Sequence, residues 1–151
     1  MVSVDLQNDD EIGSLPSIEQ FKQWVESSLL QPFTDLEQTI RVVAEVESQS
    51  LNTQFRGKDQ PTNVLSFPSE SEYLDYECLG DLVICAPVVE SEALQQGKSH
   101  EAHWAHMVIH GMLHLQGFDH QNDQEADEME ALEIKILSTL GHASPYNTAH
   151  V

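Results

Sequence analysis

Six of the eight histidines lie between positions 100 and 120, in SHEAHWAHMVIHGMLHLQGFDH. Nothing else restricts the fold as much, because imidazoles this dense must find a common partner. At helical spacing Ala102, Ala105, Val108, Ile109, Met112 and Leu113 form an apolar stripe, and His103, His106, His110 and His114 fall on an adjoining face. The spacing predicts a helix with its stripe in a core. His110 and His114 are one turn apart, about 6 Å along the axis, so both rings reach one ion at about 2.0–2.1 Å. Gly117 suits a helix stop in the left-handed conformation, and a chain reversed through Phe118 and Asp119 can bring His120 back to the pair. Three neutral imidazoles leave one tetrahedral position open, as in a catalytic rather than a structural zinc site. A single such histidine equally suits a helix terminus, where an imidazolium is mildly favoured. The HxxxHxxGxxH spacing as a whole, with metzincin offsets, points to a metal. His103 and His106 are weaker candidates for contacts to the ligands or to substrate.

One departure bears on the chemistry. Zincins place a glutamate after the first histidine as general base, and this chain has Gly111 there. The peptidase machinery lacks its base, so hydrolysis needs another group to orient substrate and stabilise developing charge. Asp119 is a candidate base, although a hydrogen bond to a metal-bound histidine is the commoner role for a carboxylate so placed.

The chain has 151 residues, 40% hydrophobic and 21% charged, which fits one folded domain spanning 1–151. Cys78 and Cys85 make neither a disulfide framework nor a CxxC pair, and a reducing compartment is the simpler reading. The N-terminal MVSVDLQNDDEIG has no basic, apolar leader, and no run approaches a membrane span, so a cytoplasmic protein is expected.

Val2, Val4 and Leu6 alternate as in a strand. Ser17 and Gln20 predict a capping box for a helix carrying Ile18, Phe21, Trp24, Val25 and Leu29. TIRVVAEV reads as a strand and ESQSLNTQF as a short helix ended by Gly57, which leaves Arg56 at its exit. NVLSF and LGDLVICA read as central strands, followed by helices from Pro87 to about Gln96, from about Ser99, and after Asn122. The last carries Ala126, Met129, Leu132, Ile136 and Leu140 on one stripe. The fold class expected is α+β, with a small mixed sheet of about four strands packed with about five helices.

HGMLHLQGFDH resembles the signature of the YbeY family of bacterial metal-dependent endoribonucleases. LNTQFRGKDQPTNVLSFP, LGDLVICAP and EADEMEALE resemble its other blocks, in family order over residues 50 to 140. The resemblance implies a zincin-like fold, one zinc or other divalent transition metal on His110, His114 and His120, and cleavage of single-stranded RNA. It further implies ribosomal RNA maturation at the small-subunit 3′ end and ribosome quality control, with the small subunit and assembly factors, including a GTPase, as partners. Arg56 and His114 become the catalytic candidates. For Arg56 there is an independent motive, since a guanidinium grips a phosphate with two hydrogen bonds and stabilises charge during cleavage. It also suits a plain helix-end cation. Lys58, Ser66 and Asn63 are further candidates to assist substrate.

Charge strains that reading. Twenty-six acids against six bases give a net charge of −20, and Lys22, Arg41, Arg56, Lys58, Lys98 and Lys135 cannot form a continuous basic groove. Weak binding to free RNA is expected, helped by Lys98 if the fold brings it near. The acidic run Asp123 to Glu133 is a candidate surface for basic ribosomal proteins. Two alternatives stand beside the nuclease: a hydrolase of another ester or amide, and a non-catalytic assembly factor whose metal is structural.

Overall fold

The computed structural model describes residues 1–33, 35–69, 79–118 and 122–146. Asp119, His120 and Cys78 lie outside them. Nine elements follow in the order β1 (Val2–Gln7), α1 (Ile18–Ser28), β2 (Leu36–Val43), α2 (Glu45–Arg56), β3 (Val64–Pro68), β4 (Gly80–Cys85), α3 (Ala86–Gln96), α4 (His100–Leu115) and α5 (Asp123–Thr139). The sheet order is β1-β2-β4-β3. β1, β2 and β4 run parallel, while β3 lies antiparallel to β4 at the edge, with Val64 opposite Ile84. The α+β class and the four-stranded mixed sheet are as expected.

The local signals act where the chain places them. Ser17 accepts from the Gln20 amide at 3.2 Å and Gln20 returns the bond at 2.9 Å, which satisfies two donors that α1 would otherwise leave open. Asn122 accepts from the Glu125 amide at 2.9 Å at the start of α5. One boundary differs from expectation. The end of TIRVVAEV is not strand: Ala44 caps α2, and Glu45 and Glu47 occupy its first turn, where the helix dipole favours acids.

Helix α4 packs on β3 and β4 and is flanked by α1, α3 and α5. Its burial therefore exceeds the single stripe expected. Trp104, Met107 and Leu115 are buried along with Ile109, Met112 and Leu113, and so are His103 and His106. Phe21 stands edge-on to both Trp24 and Trp104 at 5.7 Å, tying α1 to α4. A smaller cluster of Val43, Leu65, Val83 and Cys85 lies on the opposite sheet face, with Leu51 and Phe67 against it. Strand alternation divides the two clusters, since Ile40, Leu82 and Val64 belong to the first.

The absence of the zincin glutamate has a packing cause. A Cβ on Gly111 would stand 2.7 Å from Leu82 Cδ2 and 3.2 Å from Val64 Cγ2. Position 111 thus faces the sheet, and a side chain there would push α4 off β3 and β4 rather than reach a metal. No helix among the described residues is long and apolar enough to cross a membrane.

Candidate metal centre

His110 and His114 sit on the last two turns of α4, with their Nε2 atoms 3.1 Å apart. Each ring is held from behind. His114 Nδ1 lies 2.8 Å from the Phe118 carbonyl oxygen, which can only accept, so Nδ1 carries the proton. Gly117, at φ +107°, turns the chain that brings this carbonyl back over the helix end. His110 Nδ1 lies 2.5 Å from Glu133 Oε1, and a carboxylate likewise holds the proton on Nδ1. With Nδ1 engaged on each ring, the two Nε2 atoms face one another and are placed to serve one cation as ligands. Two nitrogens at tetrahedral angles on one ion with bonds of about 2.0–2.1 Å stand about 3.3 Å apart, close to the spacing seen. The donor set fits a divalent transition metal.

Glu133 is the residue that sequence reasoning missed. The acidic run was expected to be surface, yet Glu133 is fully buried. Its Oε2 takes a hydrogen bond from His106 Nε2 at 3.1 Å and another from the Tyr146 hydroxyl. Burial opposes its ionisation, but the bonds from His106 and His110 outweigh that and hold the carboxyl well below the usual range. Burial, and then the anionic Glu133, push the Tyr146 phenol up, so it stays a donor. Burial pulls His106 down against the pull of Glu133. A signal for Glu133 existed in the chain: it shares a helical stripe with Met129, Ile136 and Leu137, all buried. His106, His110 and Glu133 offer donor atoms within 4.8 Å of one another and could hold a metal ion. The 2.5 Å separation of His110 and Glu133 is that of a hydrogen bond, and it makes the carboxylate an orienting partner for the ring.

Two cavities meet at His110. A cleft of about 670 Å³ is lined by Phe55, Arg56, Ser66, Phe67, His110 and His114 among others. Arg56 is exposed and makes no hydrogen bond or ion pair among the described residues, whereas Arg41 is bound to Asp9 at 2.8 Å and Glu47 at 2.7 Å. The α2 terminus at Gly57 thus puts Arg56, with no hydrogen-bond or ion-pair partner among the described residues, in the cleft that His110 and His114 also line. Ser66 Oγ donates to the Gly111 carbonyl at 3.2 Å, which pins edge strand β3 to α4. Lys58 is exposed and lines neither cavity.

A wider cavity of about 1080 Å³ is lined by Lys98, His103, His106 and Tyr146 on the other side of His110. Lys98 is thus near the pair, with its pKa lowered by desolvation. His103, expected as a weak candidate, bonds Glu92 at 3.0 Å, and Asn63 donates to the same carboxylate at 3.1 Å. The bond from His103 holds the Glu92 carboxyl below its ordinary value despite partial burial.

A small α+β fold that sets two imidazole Nε2 atoms 3.1 Å apart beside a cleft also lined by Arg56 has the groups a metal-dependent hydrolase needs. The model of the family described as Endoribonuclease YbeY matches residues 4–141. Proteins named Endoribonuclease YbeY from Pseudomonas fluorescens and Pseudomonas entomophila are 55% and 53% identical over 97% of this chain, covering 97% and 94% of their own lengths. The solution structure of TM1509 from Thermotoga maritima is similar at TM-score 0.56 and 29% identity, over 91% of this chain and 87% of that one. The chain belongs to the YbeY family of endoribonucleases.

Proposed function

We propose that the chain, acting as one unit over residues 1–151, is a metal-dependent endoribonuclease that cleaves single-stranded ribosomal RNA. Maturation of the small-subunit 3′ end and ribosome quality control are the tasks that the family resemblance assigns to it. The observation that carries the metal reading is the pair of Nε2 atoms of His110 and His114, 3.1 Å apart on the last turns of α4. In this reading His110, His114 and His120 would hold one zinc ion, with Asp119 the candidate carboxylate partner of a metal-bound histidine. Three imidazoles also suit other divalent transition metals. An ion held there would supply a Lewis acid for phosphodiester cleavage.

The chain's own groups do the rest. Arg56 grips the phosphate through two hydrogen bonds and opposes the charge that builds on it. Glu133 and the Phe118 carbonyl keep the two imidazoles in one tautomer and orientation, so no reorganisation is needed when substrate arrives. Ser66 holds β3 against α4 and so sets the width of the cleft. The acidic exterior complements basic ribosomal proteins, and the small subunit with its assembly factors, including a GTPase, supplies the docking that six cations cannot. Such a substrate is consistent with work in the cytoplasm.

The test uses untagged protein. Metal analysis is expected to give about one ion per chain, with occupancy lost in His120→Ala. Cleavage of a single-stranded RNA is expected to fall about 10²–10³-fold in Arg56→Ala at unchanged fold. Equal metal occupancy in His120→Ala, or full cleavage by folded His114→Ala, would remove the proposal. A substrate with a single 2′-deoxy position separates the routes, since continued cutting there excludes attack by the ribose hydroxyl.

A further inference from the structure

A strand of RNA must be held here with very little positive charge. Of six cations, Arg41 is paired with Asp9 and Glu47, and Lys22 with Glu26. Arg56 is the one arginine or lysine side chain lining the cleft among the described residues. Phosphate contacts alone therefore give weak affinity, and proteins that bind single strands have one other general source of it, the stacking of bases on aromatic rings.

The cleft carries such a surface. Phe55 is 57% exposed at the last turn of α2, immediately before Arg56. Its ring stands edge-on to Phe67 of β3, with centroids 5.1 Å apart and planes at 74°. Phe67 is in turn packed against the cluster of Leu65, Val83 and Cys85, so the pair has a fixed base. Isolated exposed apolar residues are ordinary on any protein, and Val46 and Leu94 are more exposed than Phe55. Those two line neither cavity, whereas Phe55 shares the 670 Å³ cleft with Arg56, His110 and His114. The two rings meet edge-on and Phe55 stays 57% exposed, so aromatic surface is open in the cleft that Arg56 lines without a hydrogen-bond or ion-pair partner among the described residues.

We propose that Phe55, braced by Phe67, is a stacking platform for the base of a nucleotide next to the phosphate held by Arg56. The ligand of this subsite is an unpaired nucleobase. A base held in a duplex has its faces covered by its neighbours and cannot reach the ring, so the platform also accounts for a preference for single strands. Stacking tolerates any base, which matches a site whose specificity comes from elsewhere. The proposal rests on the RNA-cleaving reading above.

The experiment compares metal-loaded wild type with Phe55→Ala, Phe55→Leu and Phe55→Trp on a short single-stranded RNA, and on copies lacking one base at each position flanking the cut. On intact RNA, Phe55→Ala and Phe55→Leu are expected to raise KM roughly 5- to 150-fold, with kcat nearly unchanged and Phe55→Trp close to wild type. Phe55→Leu keeps the apolar contact to Phe67 but has no flat face, so it separates stacking from folding. On one of the abasic RNAs the wild type is expected to lose the same factor, and the substitutions to cost nothing further. A KM unchanged in both Phe55→Ala and Phe55→Leu, or an equal loss on every abasic RNA, would overturn the platform while leaving the nuclease intact. A wild type that cleaves no RNA at all would overturn both.

Discussion

Glu133 is held as an anion in a place with no solvent to stabilise it, and the two imidazoles and the phenol that do so also fix where its oxygens point. Replacing it with glutamine keeps the shape but removes the charge that secures the proton on His110 Nδ1. Metal affinity of Glu133→Gln is expected to fall about 10- to 100-fold, as read by competition with a chromophoric chelator. Wild-type affinity in a folded variant would leave the carboxylate without a role at the metal. Glu92 has a different consequence. Its pKa is lower folded than unfolded, chiefly through His103, so the stability it contributes is present above the carboxyl range and is lost as pH falls through the folded value. Melting temperature is therefore expected to fall less steeply from about pH 5 to about pH 3 in Glu92→Gln than in wild type. Parallel curves would mean that the pair adds nothing.

Between elements, the contact of α4 with β3 and β4 is what sets the cleft. Alanine in place of Gly111 would favour the helix by about 1 kcal/mol if space allowed. Here the new methyl would stand 2.7 Å from Cδ2 of the fully buried Leu82, and overpacking of that kind costs about 1–3 kcal/mol. Overpacking is expected to win, so Gly111→Ala should be less stable than wild type in urea unfolding; a gain in stability would show that Leu82 has room. Glutamate at the same position, though it restores the zincin motif, is expected to break the helix–sheet contact rather than add a base.

For the protein taken entire, the shortage of cations has a measurable signature. Single-strand binding weakens with salt by about 0.7 logarithmic units per phosphate neutralised, so Arg56, the one arginine or lysine lining the cleft among the described residues, gives a slope of about −0.7. Anisotropy titrations of a labelled single-stranded RNA from about 50 to about 200 mM salt should return that shallow dependence. A slope several times steeper would mean that cations outside the cleft carry the RNA, and would weaken the case for stacking and docking as the sources of affinity. The same acidity that repels free RNA would favour encounter with a basic protein partner.

The readings that succeeded from residues alone were local ones. The Ser17–Gln20 box, the helix exit at Gly57, the α4 register that faces His110 toward His114, and the alternation of β1 all depend on neighbours within a turn or a pleat, where backbone geometry leaves few choices. The acidic run ending at Glu133 was misleading in isolation, and the glycine in place of a base was read correctly but without its packing, because the meaning of both lies in what packs against them. Glu133 meets His110 across 23 residues only when α5 docks on α4, and Gly111 meets Leu82 only when α4 lies on the sheet. Likewise the strand order, the burial of His103 and His106, and the joining of Phe55, Arg56 and the histidines in one cleft arise from long-range packing, which no period along a chain encodes.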